Sequence, residues 1–245
     1  MNLLAFDTST ETMSIAVSRT VDGQARVWQH SGAGGAQAST GLIAGVLELM
    51  AQAGLQLGAL DAICFGAGPG SFTGLRTACS VAQGLAFGAG VPVLPVDTLL
   101  AVAEDARLQV PDLQGEVWAL LDARMDEMYA ARYAFADGRW TTQQDSALLR
   151  PEHLQLADAP AQDASRRVWL AGNVFTVYAG RLVLPAGVGC LSALPSASAM
   201  LRLAPQLLAS GHAVTAEQAL PIYIRDKVAK TTAERAAEKA AVVQP

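Results

Sequence analysis

The sequence predicts an α/β protein built from two similar halves. Three observations carry that expectation. Two stretches match without a gap at a shift of 115 residues: Asp7 meets Asp122, Glu11 meets Asp126, Met13 meets Met128, Ala16 meets Ala131, Asp22 meets Asp137 and Gly23 meets Gly138. Each reads as strand, acid, short polar turn, strand, Asp-Gly, strand, so each half opens with an antiparallel meander. Of the 245 residues 51% are apolar and only 16% are charged, which supplies a sizeable core and leaves apolar surface for a partner.

In chain order, residues 3–7 form a buried strand ending in Asp7, and residues 13–19 and 25–30 pair around Asp22-Gly23. After a glycine-rich loop at 32–35, Ser39 or Thr40 caps a helix that Gly54 stops. Its apolar stripe is Leu42, Ile43, Val46, Leu47, Leu49 and Met50. Residues 60–65 form the strand that leads into the glycine run at 66–76, and a helix follows over 71–89. This helix is apolar almost all round, through Leu75, Ala78, Cys79, Val81, Ala82, Leu85 and Ala86, so it is buried or an interface. Gly70/Gly74 and Gly84/Gly88 allow close packing on it. Residues 91–96 form a strand, and Asp97 or Thr98 caps a helix to about residue 107.

The second half starts with a strand over 117–122. Residues 143–163 read as polar and irregular, 168–171 as a strand ending at Gly172-Asn173, and 175–180 as a short helix. A final helix spans 197–210 with Gly211 as its stop, and 221–225 is extended. The tail offers a capping box at Thr231 and Glu234, but Glu234/Glu238 and Arg235/Lys239 set like charges one turn apart, so a frayed helix or disorder is expected. The expected organisation is a partner-binding first lobe at 1–108, a second lobe at 109–210, an extended return at 211–228 and a flexible tail at 229–245.

Several classes are disfavoured. A net charge of −5 without a basic cluster makes a poor stand-alone nucleic-acid binder. Cys64, Cys79 and Cys190 have no ligand-like spacing, and their odd number argues against a disulfide framework. The first residues lack a basic region and soon meet Asp7, unlike a signal peptide. The uncharged run at 77–96 is broken by Gly84, Gly88, Gly90, Pro92 and Pro95, and reads as a helix and a buried strand rather than a membrane span. A cytoplasmic location is expected.

The glycine run has the layout of an anion site: a strand, a glycine loop and a helix N-terminus with Ser71 as N-cap and Arg76 one turn in. It is neither a Walker loop, for want of Gly-Lys-Ser/Thr, nor a dinucleotide fingerprint, whose third glycine falls on Ser71. A tight turn packing a helix onto a sheet explains it equally well. Asp7 and Asp122, at paired hairpin tips, would hold a metal–phosphate or act as a base in a cleft between lobes that clasps a nucleotide or phosphate, or simply cap their turns, the second being favoured. Arg124 either faces that cleft or pairs locally with Asp126 or Glu127, the second being favoured. His30, His153 and His212 form no peptidase motif, and no Gly-x-Ser-x-Gly elbow occurs.

Four stretches carry a family resemblance: residues 4–11, the run Gly68-Pro69-Gly70-Ser71-Phe72-Thr73-Gly74-Leu75-Arg76, then Leu121-Asp122-Ala123-Arg124, and Tyr223-Ile224-Arg225. The chain resembles the bacterial TsaB (YeaZ) family over about residues 3 to 228. The resemblance implies a duplicated two-lobe actin/Hsp70/sugar-kinase-like (ASKHA) fold. It implies a non-catalytic, dimerisation or activating subunit in forming N6-threonylcarbamoyladenosine beside the anticodon of tRNA. Such a subunit pairs with the catalytic TsaD, works with the ATPase TsaE, forms a homodimer when alone, and meets tRNA only through the complex.

The implied contact surface lies on the first-lobe helices, with Leu42, Val46, Phe72, Gly74, Leu75, Ala78, Val81, Ala82 and Leu85 as candidates. Candidate anion or nucleotide contacts are Asp7, Thr8, Ser9, Gly68, Gly70, Ser71, Arg76 and Asp122. No cofactor is required, with room for ATP or ADP at the partner interface. Catalytic relatives hold a metal through a His-x-x-x-His pair on the first-lobe helix, and residues 37–47 contain no histidine, so neither a catalytic residue nor a metal site is expected. Ala67 replaces a usual arginine and Asp126 a common glycine, and both changes disfavour a bound phosphate. The alternative is a nucleotide-binding phosphotransferase or ATPase using Asp7 and Asp122.

Overall fold

The computed structural model describes residues 1–111, 113–156, 168–184 and 187–225. Two five-stranded sheets share one topology. In the first, β1 (Leu3–Asp7), β2 (Thr12–Val21) and β3 (Gln24–Ala33) form an antiparallel meander, while β4 (Ala62–Gly68) and β5 (Val93–Asp97) add in parallel, in the order β3-β2-β1-β4-β5. In the second, β6 (Gly115–Asp122), β7 (Met128–Ala136) and β8 (Arg139–Leu149) form the meander, and β9 (Trp169–Gly172) and β10 (Gly189–Ser192) add in parallel, in the order β10-β9-β6-β7-β8. This is the duplicated two-lobe ASKHA-like architecture that the resemblance implies. Both Asp-Gly turns are left-handed at both positions, with φ of 51° and 77° at Asp22-Gly23 and 52° and 75° at Asp137-Gly138, as a two-residue hairpin requires.

Among the described residues, five helices complete the layers: α1 (Ala38–Ala53), α2 (Phe72–Ala89), α3 (Thr98–Gln109), the single turn α4 (Val174–Val177) and α5 (Ala197–Ala209). α1 and α2 cover the outer face of the first sheet, where Leu42, Val46, Ala78 and Ala82 pack on Leu4, Phe6, Ile63 and Phe65. α4 lies over the outer face of the second, with Trp118, Leu120 and Leu170. α3 and α5 fill the space between the sheets in one continuous core. They cross over: α3, from the first half, packs mainly on the second sheet, and α5, from the second half, packs on the first. The expected partition at 108/109 therefore follows the strands but not the helices. Residues 211–225 return along α2, and the expected tail at 229–245 lies outside the described residues.

Local signals acted unevenly. Asp97 caps α3, its carboxylate accepting from the Leu99 and Leu100 amides. α1 begins at Ala38 out of a 3-10 turn, so neither Ser39 nor Thr40 caps it, while Gly54 stops it in the left-handed conformation. Ser71 occupies the N-cap position of α2, but its side chain makes no capping bond. The polar stretch after residue 143 continues as strand to Leu149, and β10 is a strand that the sequence did not signal. The run at 77–96 resolves into the rest of α2, a turn and most of β5, and among the described residues no helix is long and apolar enough to cross a membrane.

The repeat also needs one correction. Asp7 pairs with Ser14, so a gapless shift of 115 would pair Asp122 with Tyr129; instead Tyr129 pairs with Leu121, and Asp122 with Met128. The second hairpin is one residue shorter at its tip. Because side chains alternate along a strand, a slip of one reverses the face. Asp7 lies on the side of its sheet facing α3 and α5, whereas Asp122 faces α4 and accepts a hydrogen bond from Tyr178.

Candidate functional site: an interlobe cleft and an apolar helical face

The strand tips of the two sheets enclose a cleft of about 630 Å³. The β1–β2 turn contributes Ser9 and Glu11, and the start of α2 contributes Gly70, Ser71, Phe72 and Arg76. Asp122, Arg124 and Tyr129 come from the second meander, Asn173 from the head of α4, and Tyr223 and Arg225 from the returning segment. Of the candidate contacts, Ser9, Gly70, Ser71, Arg76 and Asp122 line this space. Asp7, Thr8 and Gly68 lie beneath it, all buried.

The glycine loop does not fit a phosphate as it is folded. The Ser71 amide donates to the Ser9 carbonyl at 2.8 Å. Thr8 donates through Oγ1 to the Gly74 carbonyl at 2.7 Å. A Cβ at Gly74 would lie 1.8 Å from the Thr8 carbonyl oxygen, and one at Gly70 2.6 Å from Ser9 Cβ. The glycines thus let the β1–β2 turn sit directly on the head of α2, where an anion would otherwise bind. Gly68, at φ 127°, is approached by the Ile222 carbonyl in the same way, because the Ile222 amide bonds the Ala67 carbonyl at 2.7 Å.

The cleft charges are largely engaged by one another. Arg124 reaches across the lobes to Glu11 at 2.5 Å and lies 3.5 Å from Asp122, correcting the expectation of local pairing with Asp126 or Glu127. Asp126 pairs with Arg181 at 2.7 Å, and Glu127 with Arg225 at 2.7 Å. Asp122 also donates its amide to the Asn173 side chain. Arg76 lies 3.8 Å over the Phe72 ring and donates to the Tyr223 hydroxyl at 3.0 Å. Asn173 and Tyr223, which line the cleft, and Tyr178, which donates to Asp122 from the core behind it, gave no signal on chemical grounds, since each is an ordinary residue until the fold places it.

Asp7 and Asp122 do not converge as an acid pair. Asp7 is sealed at 1% exposure, and burial pushes its carboxyl up to about 7 against two hydrogen bonds from Ser9. Among the described residues, no three His, Cys, Asp or Glu are placed to hold a metal. Asp7 is thus sealed beneath the cleft that Asp122 lines, and the two acids do not open onto one space.

The outer layer of the first lobe differs from the cleft. Leu42, Val46, Ala78 and Ala82 face the sheet, Gly74 packs on the Thr8–Ser9 turn and Leu75 near Gly68, and all six are buried, so they are core residues and not the contact surface assigned to them. A helix apolar all round carries no phase from which the buried side could be read. Phe72 is exposed, and Val81 and Leu85 are half-buried. Beside them stand Ile43 at 48%, Leu47 at 52% and Phe87 at 76% exposure. Across α1 and α2 the charged residues are Glu48 and Arg76 alone.

Comparison with known proteins bears on this arrangement. The family model described as TsaD, tRNA N6-adenosine threonylcarbamoyltransferase, matches residues 36–242. The tRNA threonylcarbamoyladenosine biosynthesis protein TsaB of Escherichia coli is 34% identical over 239 residues, covering 94% of this chain and 96% of that protein. Its counterpart in Haemophilus influenzae is 32% identical, covering 93% and 95%. The structure of YeaZ from Pseudomonas aeruginosa superimposes with a TM-score of 0.77 at 37% identity, covering 91% of this chain and 99% of that one.

Proposed function

Because the chain belongs to the TsaB (YeaZ) family, we propose that it acts in tRNA threonylcarbamoyladenosine biosynthesis as a non-catalytic subunit, docking a TsaD-like catalytic subunit through the outer faces of α1 and α2. The observation that carries this is the nearly uncharged outer surface of the two helices, on which Ile43 and Leu47 of α1 stand exposed and Val81 and Leu85 of α2 half-buried. Monomeric proteins seldom leave such a patch uncovered, and the depletion of charge is the mark of an interface core. The same face accounts for a homodimer in isolation, which the catalytic subunit replaces. A TsaE-like ATPase joins the resulting complex, and tRNA is met through the complex. The chain needs no cofactor of its own, and any adenine nucleotide sits at the partner interface, not in the plugged glycine loop.

The test is modification of tRNA by the TsaD-like and TsaE-like subunits, supplied with an activated threonylcarbamoyl donor and ATP, with and without this chain. Product is expected only when the chain is present, with Asp7→Asn and Asp122→Asn supporting turnover in the complex. Full modification in its absence would refute the subunit role. Loss of product with Asp122→Asn in a folded protein that still docks would favour a catalytic one.

A further inference from the structure

Asp7 is a buried titratable group that neither the cleft nor the helical face uses. Its Oδ1 accepts from the Ser9 amide at 2.9 Å and the Ser9 hydroxyl at 2.8 Å. Its Oδ2 is buried without a hydrogen-bond partner among the described residues and crowds Gly66, where a Cβ would lie 1.8 Å from it. The turn that this carboxyl holds is the one that seats α2, through Ser9 to Ser71 and Thr8 to Gly74. Contact therefore runs from Asp7 through the turn to the first turn of the helix bearing Phe72 and Arg76.

The charged neighbours are turned elsewhere. Ser14 of β2 accepts from the Ala197 amide of α5, and Arg202 of α5 pairs with Glu104. Asp97, ahead of α3, is engaged by the Leu99 and Leu100 amides and by Tyr133. Arg76 of α2 lies over Phe72, and Glu11 beyond the turn pairs with Arg124. Among the described residues, no cation is paired with the Asp7 carboxylate, and an unpaired buried charge is far costlier than a neutral carboxyl.

We propose that Asp7 is a positioning residue for α2: its buried carboxyl clasps the Thr8–Ser9 turn onto the helix, so that seating of the first helical turn depends on pH. Its consequence for partner docking rests on the function proposed above. The carboxyl of the folded protein titrates near 7, above its ordinary value of 3.8, so the protonated form favours the clasped turn. That stabilisation is complete below the ordinary value, declines as pH rises, and is lost once pH passes about 7.

The experiment is hydrogen exchange of the Leu75 amide, which bonds the Ser71 carbonyl at 2.8 Å, in the full chain without any partner and corrected for intrinsic exchange. Opening is expected to rise about tenfold between pH 6 and pH 8 in the native sequence and to stay level in Asp7→Asn. Ser9→Ala keeps the carboxyl but removes a bond that favours its ionised form, so it should move the transition to higher pH. It also serves if Asp7→Asn does not fold. Parallel profiles for the native and Asp7→Asn proteins, or an unmoved transition in Ser9→Ala, would overturn the proposal. Since no partner is present, these results are independent of whether the docking face is correctly assigned.

Discussion

Glu104 is the point at which the layer between the two sheets should fail first. Its carboxylate is buried on α3 and accepts from Arg107 twice, at 2.8 and 2.7 Å, from the Trp140 indole at 2.8 Å and from Arg202 at 2.6 Å. It thereby joins α3 to β8 and to α5. In Glu104→Ala, the Arg107 side chain, only 14% exposed, and the buried indole N–H lose their acceptor. Breaking a buried, hydrogen-bonded ion pair from one side costs about 3–5 kcal/mol. The Arg202 side chain is 49% exposed, so Arg202→Ala should cost about 1 kcal/mol or less. Urea unfolding followed by tryptophan fluorescence gives both numbers. Burial opposes the Glu104 charge, but the bonds from Arg107, Trp140 and Arg202 outweigh it and hold the carboxyl below the usual range. The contribution is therefore present above the ordinary glutamate value and is lost as pH falls through the lowered one, so the gap between native and Glu104→Ala should narrow in acid. A cost below 1 kcal/mol for Glu104→Ala, or equal costs for the two variants, would refute this reasoning.

Two further predictions concern the head of α2 and the second hairpin. Gly74→Ala drives a Cβ into the Thr8 carbonyl and should cost about 2–3 kcal/mol, whereas Gly84→Ala meets nothing within 4 Å and should gain about 0.5–1 kcal/mol in the isolated chain, both read by denaturant unfolding. Arg124, Met125 and Asp126 are consecutively left-handed, at φ 61°, 55° and 60°, which costs non-glycine residues energy. Asp126→Gly should exceed Asp126→Ala in stability by about 1 kcal/mol, and equal thermal midpoints would count against strain at this site.

The sequence was most legible where a local rule has one structural outcome. The two Asp-Gly turns, the Asp97 cap and the Gly54 stop each follow from backbone geometry alone. The repeat disclosed the duplicated meanders, but β1 and β6 are buried on both faces and carry no alternation from which the one-place slip of Asp122 relative to Asp7 could be read. The strand after Asp137-Gly138 was legible, but its continuation to Leu149 was not, because residues 141–145 are polar and exposed, which removes the alternation that marks a half-buried strand. The crossing of α3 and α5 to opposite sheets is set by tertiary packing, of which no short segment holds a record. At the site, the glycine run was legible as a special turn, but its filling could not be read. Whether Gly70 and Gly74 admit a phosphate or the chain's own Thr8–Ser9 turn depends on a contact between residues more than sixty apart.

The central claim is that the outer face of α1 and α2 docks the catalytic subunit, and it is tested most directly by measuring the affinity of the TsaD-like subunit for this chain and for Ile43→Glu and Leu47→Glu. Both side chains stand about half exposed, so each isolated variant should unfold within about 0.5 kcal/mol of the native chain. An unpaired charge buried on docking costs about 2–5 kcal/mol. The predicted result is binding weaker by roughly thirtyfold to several thousandfold. Native affinity in both variants would contradict the claim.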